Sequence, residues 1–453
     1  MYELNQETDP AVLGPFELLA VLGQGGMGRT YLARKLDLAN LAPEQETAYH
    51  LTATDGEAEP VLAAVKVIKP SKLRDSTENS EQEARARFAQ EIQTMGTVAS
   101  ARVPALIGAD PEAARPWLAM DYVHGPTLHK VVHSCGPLEV GPYAALGLAL
   151  VDALRAIHEV KLLHRDLKPG NIALGPDGPV VLDFGLAVLT ERDGGAALTK
   201  TGARFGTVSY MSPEQTQDAK HVEAPSDIFA LGAVLFFAAA VRSPYPYGPT
   251  GLTPSWEGVP PDYRPLLARL LALVPTQRPT LTEIEGELVQ LLAVHGRTVE
   301  AAAEELRTLV AGSGLIPELP ERARDNEADP ELQQAAQQAV DEGADPDSPW
   351  AAHEPDLFDE FLDEEIADIE LPAEEPLPAT PADYVPTVLD PQAHPLPGPA
   401  PALGNPVSVT SYPLAPPQPT PPHAPGDAGP SVPPAAAKAA ERLRKAYAHS
   451  GRL

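Results

Sequence analysis

From residue 346 to about 435 the chain is so rich in proline and carboxylates that it cannot build a core, in runs such as LFDEFLDEEIADIELPAEEPLPATPADYVP and PLAPPQPTPPHAPG. Such a stretch buries too little apolar surface to offset the entropy of ordering it, and is predicted to be disordered with polyproline character. A packed fold is therefore sought upstream, where apolar runs alternate with turn signals as far as about residue 296. Between the two, residues 297–345 are rich in Ala, Glu and Gln, with helical periodicity in VEAAAEELRTLV, and read as a partly helical linker. The closing residues 436–453, within AAAKAAERLRKAYAHSGRL, reverse the sign of the charge and read as a short basic helix. No repeat is visible.

Roughly two thirds of the net charge of −30 falls after residue 296. With no basic field to neutralise phosphates, nucleic acid is excluded as a main partner, and an anionic membrane surface is disfavoured for the same reason. The N-terminus, MYELNQETDPAVLG, lacks the basic-then-apolar pattern of a signal peptide. The longest apolar run, IFALGAVLFFAAAV at 228–241, falls short of the ~20 residues that span a bilayer and reads as a core helix. The lone Cys135 forbids a disulfide within the chain and reads as a small half-buried residue. These features together predict a soluble protein of the cytoplasm.

Within the first 296 residues the order is strands, one helix, more strands, then mostly helix. FELLAVLG, TYLARK and AAVKVIK (16–23, 30–35, 63–69) have strand-like content around a glycine-rich turn, and WLAMDYV (117–123) is a further strand. EQEARARFAQEIQTMGT (81–97) reads as a charged amphipathic helix, and YAALGLALVDALRAIHEV (143–160) as one with a wide apolar face. Residues 36–62 carry neither period and read as a surface insertion between two strands. Helices following a small β-lobe predict an α+β chain with two lobes and a cleft.

Four patterns carry chemistry. LGQGGMGRTYLA has Gly23, Gly25 and Gly28 at a spacing that lets backbone amides approach phosphate oxygens. On its own this is weak, and because it leads into a strand rather than a helix it argues against a dinucleotide fold. Lys66 interrupts the apolar strand AAVKVI and needs a compensating acid or a wet face; the following helix offers Glu91. LLHRDLKPGNIAL (162–174) sets Asp166, Lys168 and Asn171 in a loop between apolar anchors: a general base, a phosphate-directed cation and an amide oxygen. In VVLDFGLAV, Asp183 ends an apolar strand just before Gly185, and a hard oxygen ligand there suits Mg²⁺.

Taken in this order, the patterns resemble eukaryotic-like (Hanks-type) serine/threonine protein kinases of bacteria, over about residues 14–296. The resemblance implies a bilobal protein-kinase-like fold: a small β-rich N-lobe (14–123, with the insertion 36–62) and a larger helical C-lobe (124–296). It implies an ATP- and Mg²⁺-dependent enzyme, with Mn²⁺ as an alternative, that phosphorylates Ser/Thr hydroxyls of proteins as a non-specific serine/threonine kinase. By the same resemblance Leu22, Gly23, Gln24, Gly25, Gly26, Met27 and Gly28 would cover the phosphates. Thr30, Ala64 and Met120 would border the adenine, and Asp121 and Val123 would offer it backbone hydrogen bonds. Lys66 would hold the α- and β-phosphates and pair with Glu91. Asp166 would take the hydroxyl proton, Lys168 would steady the moving phosphoryl group, and Asn171 and Asp183 would hold the metal.

Arg165 before Asp166 implies control by phosphorylation of the activation loop, with Thr199 and Thr201 as acceptors, and Thr207 fits the serine/threonine pattern. Glu214 of SPE would pair with Arg278, and Asp227 would brace the catalytic loop. Departures are Thr30 where the family usually has Val, the insertion, and a short, Pro-rich 242–262. The rival reading is a pseudokinase scaffold whose fold and tail only bind partners; a small-molecule kinase is a third. Self-association would serve trans-autophosphorylation, and the tail would suit proline-recognising or basic partners.

Overall fold

Residues 16–25 and 28–35 bury their apolar side chains in the first sheet by pairing back to back across the glycine-rich turn. The computed structural model describes residues 1–5, 8–25, 28–38, 61–68, 78–113, 115–184, 208–218, 221–246, 248–249, 253–325 and 329–341, with the side chains of 78–84, 87 and 341 left aside. All lie in one unit, Met1–Glu375. The insertion apart from its ends, Gly26, Met27, Gly185, Thr199, Thr201, Thr207, and everything after 341 lie outside the described residues. So do the predictions made for the acidic Pro-rich tail and the basic C-terminus.

Six antiparallel strands form one sheet in the order β1-β2-β3-β4-β6-β5. They are β1 Val12–Leu13, β2 Phe16–Gly25, β3 Gly28–Lys35, β4 Leu62–Ile68, β5 Leu106–Asp110 and β6 Trp117–Asp121. Register sets Thr30 opposite Lys66, Lys66 opposite Leu118, and Ala64 opposite Met120. Directly paired residues share a face of the sheet, so these positions face the same side. Register shifts between Leu18/Ala20 and Val21/Gly23 bend the far end of β2, with Leu22 at the irregularity. Strands β1 and β5 are not in the sequence reading: one is two residues long, and the other, LIGAD, is too short for a period to register.

Helix α1, Glu78–Met95, follows β4, and its Phe88, Ile92 and Met95 enter the larger core. Beyond β6 come α2 (Leu128–Cys135), α3 (Val140–Glu159), the hairpin β7 (Ile172–Gly175) and β8 (Gly178–Val181), α4 (Pro213–Gln217) and α5 (Ala224–Ala240). Helices α6 (Arg264–Leu270), α7 (Leu281–Val294), α8 (Val299–Gly312) and α9 (Pro330–Asp341) complete the described chain. Helix α3 is long and apolar enough to cross a membrane by length and composition; here most of it is buried inside the fold. Helix α5 is buried almost all round, from Ser226 to Ala239, as expected for a helix at the centre of a lobe. The hydrophobic residues divide into a large cluster centred on α3 and α5 and a smaller one in the sheet around Phe16, Tyr31 and Trp117.

Two expectations are corrected. Residues 297–345 are not a linker as far as they are described: Ala302, Leu306 and Val310 of α8 join the large cluster, and Val340 of α9 joins that of the sheet. The three α8 residues recur every four positions, which places them on one helical face, and α3 covers that face. Cys135 is exposed rather than half-buried, because it ends α2 just before Gly136, a glycine in the left-handed region that closes the helix.

Candidate active site

The loop 162–171 is held from beneath by one buried carboxylate. Asp227, in the first turn of α5, accepts the His164 N–H at Oδ2 and the Arg165 N–H at Oδ1, both at 2.9 Å. Its Oδ2 also lies 2.7 Å from Nε2 of His158, at the end of α3. Burial pushes the Asp227 carboxyl up, but the hydrogen bond and charge of His158, with His164 and the Arg165 amide, outweigh it and hold the group below the usual carboxylate range. The anchor is therefore an ionised acid. Above it, His164 is fully buried, its Nε2 3.0 Å from the Leu182 carbonyl, and its Nδ1 accepts the Asp166 N–H at 3.2 Å. The Gln215 side chain donates to the Arg165 carbonyl at 2.6 Å.

Arg165 and Asp183 both stand in the left-handed region, at φ 65° and 57°. For residues with a Cβ this costs roughly 1–2 kcal/mol apiece. The bonds just described hold Arg165 there, which is how such backbone persists at a functional site.

On this frame the predicted residues converge. Asn171 donates through Nδ2 to the Asp166 carbonyl at 2.9 Å and to Asp166 Oδ2 at 3.1 Å, and Lys168 Nζ lies 3.6 Å from the same Oδ2. The Leu182 N–H donates to the Asn171 carbonyl at 2.8 Å, which ties the strand leading to Asp183 onto the catalytic loop. Lys66, buried in β4, reaches out of the sheet to Asp183 Oδ2 at 2.8 Å. Burial raises the Asp183 carboxyl, yet Lys66 and, further off, Lys168 and His164 more than reverse this, so Asp183 is held below the ordinary range. The ion pair made by Lys66 here is with Asp183; Glu91 lies half-buried on α1.

The glycines differ in what they tolerate. A Cβ on Gly28 would stand 1.8 Å from the Val67 carbonyl oxygen, so β3 can approach β4 there only as glycine. A Cβ on Gly23 or Gly25 would meet no heavy atom of the described residues within 4 Å. Packing against the described residues does not ask for glycine at those two positions, and the room it leaves is wide enough for backbone amides to meet a phosphate. At the junction of the lobes Met120 is buried, and the Asp121 N–H donates to Ala105 at 2.9 Å.

Structural supports also assemble. Arg278 grips Glu214 with two bonds of 2.5 and 2.8 Å, donates to the carbonyls of Ala272 and Pro225, and stacks its guanidinium 5.1 Å over Phe229. Glu214 is raised by burial but lowered further by Arg278, ending below its usual range. Ser212 caps α4 through the Gln215 N–H and shares a 2.7 Å hydroxyl contact with Ser226. His158, Gln215 and Ser226 were not singled out from sequence. Their parts are contacts between distant segments, and only the nearness of His158 to the catalytic loop was there to read.

The site fits a hard divalent cation shared with a phosphate. Asp183 supplies a carboxylate, and Asn171, whose amide nitrogen already serves Asp166, has its oxygen left for a metal. Among the described residues no three His, Cys, Asp or Glu side chains group together to hold a metal on their own, so the coordination shell would be completed by substrate oxygens and water.

A small antiparallel sheet whose second and third strands flank a glycine-rich segment, joined to a helical lobe that presents an anchored acid loop, is the architecture of the two-lobed kinase fold. A family model described as the protein kinase domain matches residues 56–287. The chain belongs to the protein kinase domain family. The match begins after β2 and β3, and the pairing of those strands with β4 brings the glycine-rich turn into the same lobe. The chain is similar to the serine/threonine-protein kinase AfsK of Streptomyces coelicolor, 34% identical over 297 residues, which are 64% of this chain and 33% of that protein. The probable serine/threonine-protein kinase PkwA of Thermomonospora curvata is 38% identical over 296 residues, 64% of this chain and 36% of that one. The DNA damage-responsive serine/threonine-protein kinase RqkA of Deinococcus radiodurans is 35% identical over 240 residues, 51% of this chain and 30% of that one. The chain spans about a third of the length of these relatives.

Proposed function

We propose that the protein transfers the γ-phosphoryl group of ATP to Ser or Thr hydroxyls of proteins, in bacterial signalling. The observation that carries this is the convergence of Asp166, Asn171 and Lys168 on one anchored loop, bonded through Leu182 to the segment in which Asp183 meets Lys66. The acceptor hydroxyl oxygen forms a bond to the γ-phosphorus while the bond from that phosphorus to the β–γ bridging oxygen breaks, and ADP leaves. Asp166 orients the hydroxyl and takes its proton, with Asn171 fixing the rotamer of the acid. Lys168 lies close enough to Asp166 to neutralise charge on the phosphoryl group in transit. Lys66 holds the α- and β-phosphates under Gly23 and Gly25, and Thr30 and Met120 border the base. A divalent cation, Mg²⁺ with Mn²⁺ as the alternative, neutralises the phosphate oxygens when bound to Asn171 and Asp183.

The regulatory reading is part of the same proposal. Phosphate on Thr199 or Thr201 would bring about two negative charges to Arg165, and copies of the chain would modify one another. We place the protein in the cytoplasm, with the tail recruiting proline-recognising or basic partners. The deciding experiment is incubation of the full chain with radiolabelled ATP and Mg²⁺ beside Asp166→Asn, with labelled residues mapped. Label on Thr199 or Thr201 or on an added protein acceptor, absent from the variant, is the expected outcome. A folded chain that binds nucleotide but labels neither itself nor any acceptor would instead be a scaffold.

A further inference from the structure

Strand β2, which ends in the glycine-rich turn, is gripped near its start by a segment that comes from the other lobe. Helix α8 is seated on α3 in the C-lobe, with Leu306 and Val310 buried. The chain then passes the junction of the lobes, where His124 Nε2–H donates to the Pro317 carbonyl at 2.7 Å. It continues to the back of the N-lobe. There Arg322 Nη2 lies 2.8 Å from Glu17 Oε1 as an ion pair. Arg34 of β3 meets the other oxygen of Glu17 through Nε at 3.0 Å and donates to the Asp325 carbonyl at 2.5 Å. Glu17 is 1% exposed, so this is a buried carboxylate held between two guanidiniums, one supplied by the sheet and one by the crossing segment. Helix α9 closes the arrangement: Ala336 is fully buried, and Val340 packs into the cluster that contains Phe16, Leu18 and Trp117.

We propose that residues 315–325 together with α9 brace the sheet and so set where the glycine-rich turn stands over the catalytic loop, with Arg322 and Val340 as positioning residues for the nucleotide. The brace rests on the kinase reading for what is positioned. The mechanical basis is simple. Glu17 and Gly25 lie on one strand, eight residues and roughly 26 Å apart at about 3.3 Å per residue. A tilt imposed at one end moves the other, and a segment fastened to both lobes restrains that tilt. If the contacts only added general stability, losing one would weaken the whole fold alike.

Full-length Arg322→Glu, Val340→Asp, Arg322→Lys and, as a control on the exposed face of α8, Arg307→Glu separate these outcomes. The expected result is that Arg322→Glu and Val340→Asp raise KM for ATP about 3- to 10-fold. In both, kcat stays within about twofold of the parent. Amide exchange accelerates in β1 and β2 but not in α3 or α5, Arg322→Lys recovers most of the KM, and Arg307→Glu changes nothing. An unchanged KM, or kcat falling together with faster exchange in α3 and α5, overturns the proposal. If the parent shows no transfer at all, the kinase reading fails separately. The brace is then judged by exchange at Gly23–Gly25 with a non-hydrolysable ATP analogue. Protection present in the parent and lost in Arg322→Glu supports it; equal protection, or none in either, overturns it.

Discussion

Asp227 uses both carboxylate oxygens to hold two successive backbone amides, so the geometry of Asp166 depends on a residue 61 positions further along the chain. Replacing it by alanine strands the His164 and Arg165 N–H groups and removes the partner of His158. Each buried polar group left unpaired costs about 1–3 kcal/mol. Asp227→Ala is therefore expected to lower the urea midpoint markedly and abolish transfer, and Asp227→Asn, which keeps one acceptor, to lose less of both. The glycines give a sharper contrast. Gly28→Ala places a methyl against the Val67 carbonyl and should destabilise by about 1–3 kcal/mol, as overpacking does. Gly23→Ala meets nothing among the described residues, so its melting temperature should match the parent while nucleotide binding weakens. Much at this scale was legible. Asp166, Lys168 and Asn171 lie within six residues of one another, and short spacing is what a sequence states well. The contact between Lys66 and Asp183 was not read, because it joins residues 117 positions apart and the same lysine had another acid nearer in sequence.

Among the elements, α8 carries the clearest lesson. VEAAAEELRTLV announces a helix, but its many carboxylates make it look solvated, and periodicity alone does not say what lies against the apolar stripe. The stripe Ala302, Leu306, Val310 is covered by α3, and Arg297 bonds Glu305 at 3.1 Å beside it. Leu306→Ala should thus cost about 2–5 kcal/mol, the range for a buried leucine, where a linker residue would cost almost nothing. Chemical denaturation of the full chain distinguishes the two. The strands β2, β3 and β4 and the helix α3 were readable from their length and apolar content, and β6 and α5 because each lies in a nearly unbroken apolar run. Strands β1 and β5 borrow their order from neighbours in the sheet, so their own residues carry little signal.

At the scale of the whole molecule, three carboxylates are held below their ordinary range by partners distant in sequence, Asp183 by Lys66, Glu214 by Arg278 and Asp227 by His158; among the described residues Glu283 and Glu300 are lowered as well, by bonds at the starts of their own helices. As the pH falls, the unfolded chain binds protons at these positions before the folded one does, so their contribution is full above the ordinary carboxylate values near 4 and is lost below them. Urea midpoints from pH 7 to pH 3 should show no loss from this source until about pH 4 and a progressive fall beneath it; in Glu214→Gln the fall should be shallower. The two-lobed plan followed from the order of strands and helices, whereas the crossing of 315–341 from one lobe to the other could not, since no local pattern encodes which distant surface a helix will cover. That crossing has a consequence for ancestry and for engineering. The matched kinase region stops at residue 287, but the surface it leaves bare is roofed by α8 and α9. A gene fusion or a designed chimera that kept the N-terminal strands but stopped where the matched region does would inherit an exposed greasy flank on α3 and a buried Glu17 left with Arg34 alone, and the portable cassette is the stretch that runs from those strands through Asp341.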